Sequence, residues 1–215
     1  ITDSAIVISS MVDAVMLRLS SHEDIIEFSK HSNKPVINAL SDESHPCQIL
    51  ADLMTYQEMN GSIKNKKIAW IGDGCNVCQT YMQAAGIFDF ELSIATPKGY
   101  EPSELFIVNY KKNINFYSDP LMACENADII VTDVWTSMGQ ESEKKQRELA
   151  FTGFQVDQNM MNQAKKDAIF MHCLPAYREK EVSSEVIDGN QSVVWSEAEN
   201  RLHVQKSLLL YLIEN

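Results

Sequence analysis

Lys67-Ile68-Ala69-Trp70-Ile71-Gly72-Asp73-Gly74-Cys75-Asn76-Val77 reads as one repeat of a parallel α/β protein. Residues 67–72 form a short apolar run without polar alternation, the pattern of a strand covered on both faces. Two glycines then turn the chain, and Asn76 opens a stretch whose apolar spacing predicts a helix over 76–86, closed by Gly86. A strand that feeds a helix through such a loop leaves the loop at the carboxyl end of its sheet, where open α/β folds hold ligands.

The same alternation continues in both directions. Downstream, strands are expected at 90–95, 114–117, 127–132, 168–172 and 193–195. Between them fall a helix over 102–112, a short helix opened by Pro120, and a last helix over 197–213 with Leu202, Leu209, Leu212 and Ile213 on one face. Residues 140–160 are polar and weakly patterned, which predicts a mobile loop and helix rather than core. Upstream lie a helix over 3–11, a strand over 13–18, a helix over 22–31 capped by Ser21, a strand over 35–38 and a helix over 45–60 ended by Gly61. Strands separated by helices give the fold class: α/β, with two doubly wound parallel-sheet domains, the first only partly present. Residues 1–60 form the first domain with a bridging helix, 61–196 the second, and 197–215 a helix that packs back on the first. The chain opens on Ile1, and Thr2-Asp3-Ser4 reads as a helix cap in mid-fold. A parent protein with a further N-terminal segment is the expectation.

A net charge of −12 over 215 residues argues against nonspecific binding to nucleic acid. It leaves room for a local basic pocket that takes a small anion. The apolar runs are too short for a membrane-spanning helix, and the first residues lack the basic and apolar blocks of a signal peptide. Five cysteines, an odd number in a chain of this size, argue for reduced thiols in a cytoplasm-like compartment.

Candidate chemistry gathers at element ends. His45-Pro46-Cys47-Gln48 reads as the first turn of the helix over 45–60, with Ser44 as N-cap and Pro46 where a missing N–H costs least. His45 and Gln48 are three apart and share a face, which suits an anionic or carbonyl-bearing ligand. Gly72-Asp73-Gly74 resembles a dinucleotide-binding turn only at first sight. The third glycine of that fingerprint falls on Val77, and the next strand ends in Ala95-Thr96-Pro97 without an acid. Asn76 either offers an amide to a carboxylate or caps the helix that follows. Cys75 and Cys78 have CxxC spacing, yet zinc needs two further ligands and no thioredoxin-like surroundings accompany them. Asp133, Thr136, Ser137 and Gly139 sit after the strand over 127–132, a set that can hold an ammonium group and close over it. Met171-His172-Cys173-Leu174-Pro175 ends another strand. Arg201 lies near the start of the last helix, where the dipole disfavours a cation, and Arg18 ends an apolar strand. Both invite an anion.

Five segments together are similar to the aspartate/ornithine carbamoyltransferase family. They are His45-Pro46-Cys47-Gln48, Gly72-Asp73-Gly74 with Asn76, Asp133 with Ser137-Met138-Gly139, His172-Cys173-Leu174-Pro175 and Glu197-Ala198-Glu199-Asn200-Arg201. They stand in the family's order across nearly the whole chain, and the Ser-Met-Gly loop resembles that of members using ornithine rather than aspartate. The resemblance implies transfer of a carbamoyl group from carbamoyl phosphate to the δ-amine of L-ornithine, giving citrulline on the way to arginine biosynthesis, in the cytoplasm. It implies that Arg18, His45 and Gln48 hold the carbamoyl moiety, with Arg18 also reaching the phosphate. Cys173, the backbone at Leu174 and Arg201 complete that pocket. Arg18, His45 and Cys173 are the implied catalytic groups; Asn76, Asp133, Ser137 and Met138 are the implied ornithine-binding ones. Neither a cofactor nor a metal is implied, and the implied assembly is a homotrimer or an assembly of trimers. Two departures stand out. Cys75 occupies a position where the family usually has Asn. The family's phosphate-binding Ser-Thr-Arg-Thr segment would lie before residue 1, so these 215 residues alone are expected to be inactive and their parent active. The alternatives are a carbamoyltransferase for putrescine or another amine, and a noncatalytic relative.

Overall fold

A computed structural model describes residues 1–137 and 139–214, with the backbone alone at Glu141. Strands β1 (Val15–Arg18) and β2 (Val36–Leu40) pair in parallel, with α1 (Thr2–Ser9) and α2 (His22–His31) beside them. Ala5, Val15 and Phe28 bury one another there. Helix α3 (Pro46–Asn60) leads to the larger sheet. That sheet comprises β3 (Lys67–Ile71), β4 (Glu91–Ala95), β5 (Ile114–Tyr117), β6 (Ile129–Thr132) and β7 (Ile169–His172), all parallel, in the order β5-β4-β3-β6-β7.

The strands are short and apolar because both faces are covered. Ile68, Trp70, Leu92, Ile94, Ile129 and Val131 point to one side, onto α3 and α4 (Asn76–Phe88). Ala69, Ile71, Ala95, Ile130 and Phe170 point to the other. There they meet α6 (Pro120–Cys124), α8 (Gln158–Gln163) and α9 (Ser184–Ile187), while α5 (Glu104–Asn109) buries Phe106 in the first layer and α7 (Lys144–Ala150) follows β6. Side chains alternating with a period of two thus serve two layers from one run. Strand order reverses between β3 and β6, so their carboxyl ends form the crevice in which an open α/β sheet takes its ligand. Helix α10 (Val194–Glu214) then runs back along α3.

Several expectations are corrected. Residues 193–195 form no strand: a single bridge joins Phe170 to Ser192, and α10 begins at Val194, whose side chain is buried. Core packing overrides the β-branched Val193-Val194 pair. Gly86 does not end α4. The helix runs on to Phe88 and stops at Asp89, which adopts a left-handed conformation (φ 55°) and accepts the Asn65 N–H on its carbonyl. Ser44 does not cap α3. Its hydroxyl is engaged by the Asn38 amide at 2.9 Å, and His45 takes the N-cap position without a side-chain cap bond. The helix expected over 102–112 is only α5. Residues 140–160 are not a loose loop: α7 follows a 3-10 turn at Glu141–Glu143, Phe151 and Val156 are buried, and Met160 and Met161 join the core. Their apolar residues are spread too thinly among polar ones to show a period.

Gly74 marks a close approach. Its N–H donates to the Tyr100 carbonyl at 2.8 Å, and a Cβ on it would lie 2.2 Å from the Pro102 nitrogen. No flexible side-chain end can move aside, since the contact is backbone. Gly74→Ala is expected to destabilise the protein by about 1–3 kcal/mol, the usual cost of overpacking, read as a lower urea midpoint with an unchanged m-value.

Candidate active site

The first group of predicted residues collects where α3 starts. The His45 N–H donates to Thr80 Oγ1 of α4 at 2.8 Å, which fixes the helix start against the second sheet unit. Asn76 Nδ2 donates to the Ser41 carbonyl at 2.7 Å, and Gln79 Nε2 donates to the Glu43 carbonyl at 3.2 Å. The loop before His45 is therefore tied at three points to the first turns of α4. Burial, then the Arg201 and Arg18 charges, push the His45 imidazole down to about 4, so it is neutral at pH 7. Arg201 Nη1 donates to Gln48 Oε1 at 2.6 Å. His45 Nδ1 and Arg201 Nε are buried and have no hydrogen-bond partner among the described residues. Arg18 is exposed at the end of β1, its charge felt by His45.

The second group lies at the carboxyl ends of β3, β6 and β7. Asp133 Oδ1 accepts from the Val134 N–H at 2.7 Å and from the Cys173 thiol at 3.2 Å, and its Oδ2 faces the Cys75 thiol at 3.7 Å. Burial, then the Asp133 carboxylate, push the Cys173 thiol well up, so it is an S–H donor rather than a thiolate. Cys75 is raised in the same way. Asn76 has its Oδ1 on the Val77 N–H and its amide on Ser41, so it ties elements together and retains one N–H. The Ser137 N–H donates to Gln140 Oε1 at 3.0 Å. Met138 lies outside the described residues. Leu174 has a left-handed backbone (φ 53°) before a cis Pro175.

Asp133, His172 and Cys173 bring ligand atoms within 4.8 Å of one another. The imidazole is already committed, however. Its Nδ1 accepts from the Leu174 N–H at 2.9 Å, which leaves Nε2–H to donate to Glu181 at 3.2 Å. With the histidine engaged and the thiol protonated, this is a poor metal site.

The two groups meet through Gln48 and through Asp52, Glu197 and Tyr81, to which the sequence reading gives no role. Gln48 Nε2 donates to Asp52 Oδ1 and to Glu197 Oε1, both at 2.8 Å. Glu197 Oε2 takes the His172 N–H at 2.9 Å, and Tyr81 donates its hydroxyl to Asp52 Oδ2 at 2.6 Å. Arg147 is the other surprise. It is buried, bonded to Asp73 Oδ2 at 3.0 Å, to the Trp135 carbonyl at 3.0 Å and to Glu143 at 3.1 Å, and it lies over the Tyr100 ring. It fastens the loop after Asp133 to the loop after β3. The i,i+4 spacing of Gln48 with Asp52 and of Glu197 with Arg201 was visible in the sequence; their meeting was not.

Residues 1–58 match the family model described as the aspartate/ornithine carbamoyltransferase carbamoyl-P binding domain. Residues 64–212 match that of the Asp/Orn binding domain. The chain is 62% identical over 213 residues to an ornithine carbamoyltransferase of Ruthia magnifica, covering 99% of this chain and 71% of that protein. It is 53% identical to the one of Hydrogenovibrio crunogenus, covering 99% and 70%. Among solved structures it is similar to the ornithine carbamoyltransferase of Pyrococcus furiosus, with TM-score 0.93, 45% identity, and 100% and 71% coverage. It is likewise similar to that of Burkholderia thailandensis, with TM-score 0.92, 47% identity, and 99% and 69% coverage. With both of its sheet units matched and relatives this similar along nearly its whole length, the chain belongs to the aspartate/ornithine carbamoyltransferase family.

Proposed function

We propose that the protein transfers the carbamoyl group of carbamoyl phosphate to the δ-amine of L-ornithine, giving L-citrulline and phosphate. The observation that carries this is the pair of buried, unpartnered atoms, His45 Nδ1 and Arg201 Nε, beside Gln48 at the start of α3. A buried polar atom without a partner calls for an explanation, and a ligand that supplies the missing bond is one. Carbamoyl phosphate offers what they lack: a carbonyl oxygen for donors and an anionic phosphate for guanidinium groups.

Gln48 sharpens the role. Both hydrogens of its amide are held by carboxyl groups, so only Oε1, on which Arg201 also lies, is left to meet a ligand. It accepts, and suits the carbamoyl N–H. His45, neutral at working pH, donates to the carbonyl oxygen without adding charge to the ground state. Arg18 and Arg201 supply the positive field for the phosphate and the developing oxyanion. Asp133 holds the α-ammonium of ornithine, with Asn76, Ser137 and Met138 completing the grip and the Leu174 backbone lining the carbamoyl side. The neutral δ-amine attacks the carbonyl carbon and forms the C–N bond, while the π pair moves to oxygen. The tetrahedral adduct collapses, the C–O bond to phosphate breaks with its electron pair on phosphate, and the proton lost by the amine nitrogen passes to the departing phosphate. Cys173 orients Asp133 and the amine through its S–H and forms no acyl-enzyme. The homotrimer, the cytoplasmic location and the place in arginine biosynthesis belong to this reading as well.

Citrulline formation by the full-length gene product tests the reading. Ornithine is expected to be the acceptor; a preference for putrescine, or no carbamoyl transfer, overturns it. Asp133→Asn is expected to lower kcat/KM for ornithine about 100-fold, the value of a charged hydrogen bond. Cys173→Ser, which keeps a donor, is expected to stay within about tenfold of wild type; a covalent role would cost far more. His45 gives a pH prediction. Its pKa falls from 6.5 to about 4 on folding. Below pH 6.5 the unfolded chain therefore binds the extra proton, and stability drains away as pH falls toward 4. Against His45→Gln, wild type is expected to lose on the order of 2–3 kcal/mol over that window and nothing above pH 7, by urea denaturation at each pH.

A further inference from the structure

We infer that Asp52 and Glu197 are positioning residues for carbamoyl phosphate: a carboxyl pair that holds one proton between its members and fixes the Gln48 amide with its oxygen toward the pocket. This rests on the reading of Gln48 and Arg201 as carbamoyl phosphate groups.

The geometry is closed on every side. Asp52 comes from α3 and Glu197 from α10, 145 positions apart, and both are buried to within 3% of full. Each places an oxygen on the same amide nitrogen, Gln48 Nε2, at 2.8 Å. The outer oxygens are also taken, Asp52 Oδ2 by the Tyr81 hydroxyl and Glu197 Oε2 by the His172 N–H. The charged and titratable groups around the pair are Arg201 on α10, Tyr81 on α4, Cys173 after β7 and His45 before α3. Arg201 is the one cation among them, and it contacts the Gln48 oxygen. Two carboxylates in one dry site cannot both ionise, so they share a proton, as paired acids do. Burial agrees, pushing Asp52 up to about 6, and burial and then Asp52 raise Glu197 well above the usual carboxylate range.

The consequence is directional. An amide can turn over at little cost, exchanging its oxygen and nitrogen. Two acceptors on one side and a guanidinium on the other allow only one of the two orientations. The acids thereby present an acceptor to the pocket and, through that same oxygen, aim Arg201. Neither touches substrate.

Two measurements on the full-length protein test this. Infrared difference spectroscopy at neutral pH should show the carbonyl stretch of a protonated carboxylic acid, shifted in D2O and absent from the D52N/E197Q double variant. In the single variant Glu197→Gln, one acceptor oxygen becomes an N–H2 donor, so Gln48 or the His172 N–H loses its partner. Its KM for carbamoyl phosphate is expected to rise about tenfold, the worth of one hydrogen bond, with the KM for ornithine unchanged. Asp52→Asn, which can keep an oxygen on Gln48, is expected to give a smaller rise. A wild-type spectrum without the acid band overturns the proposal, and so does an unchanged carbamoyl phosphate KM in Glu197→Gln. The infrared arm needs no turnover. It decides the shared proton even if a variant folds poorly or if carbamoyl phosphate proves not to be the substrate.

Discussion

The structure turns on one amide. Gln48 sits at the junction of α3, α10 and the end of β7, and it bonds in three directions there: both N–H groups on acids, its oxygen on a guanidinium. Burying two carboxyl groups and a cation is costly unless each is paired and bonded. Here every member has a partner from a different element. Removing one leaves the others stranded, which is why such networks act as a unit. The same atoms join the start of α3 to the strand end that carries Cys173. Packing and chemistry therefore share residues, and α10 is held to α3 by more than apolar contact. Asn200, one turn from Glu197 along α10, adds bonds to Thr55 and Glu58 at 2.9 Å each.

Around that junction the sheet supplies position. The reversal of strand order between β3 and β6 opens a crevice. The loop after β3 and Asp133 after β6 lie on its two sides, with Cys173 at the next strand end. The glycine pair after β3 is needed because Gly74 runs against backbone at Pro102. Dinucleotide folds use a similar turn for a different purpose. Here the turn brings Asp73 to Arg147, and burial lifts Asp73 to about 6 against the pull of that guanidinium.

Much of this was legible in the sequence, and the physics says which part. Continuous apolar runs such as 67–71 and 129–132 can only be strands with two covered faces, and they were read as such. His45 and Gln48 announce themselves by spacing and by the proline between them. What escaped depends on contacts across long stretches of chain. Asp52 and Glu197 look like ordinary helix acids until α10 folds onto α3. Arg147 looks like a solvated cation in a polar segment until it meets Asp73, 74 residues away. Val193-Val194-Trp195 carries local strand propensity, and the core claims Val194 for a helix instead. Gly86 failed as a stop signal because its φ is not positive, and the left-handed residue that ends α4 is Asp89 instead.

The three ties between residues 41–45 and α4 have a mechanical meaning. His45 on Thr80, Ser41 on Asn76 and Glu43 on Gln79 rivet the two sheet units together at the point where a hinge would otherwise lie. Rocking one unit against the other would have to break all three and the Gln48 junction as well. The segment after Asp133 is tied down too, since Arg147 bonds the Trp135 carbonyl and Asp73 of the loop after β3.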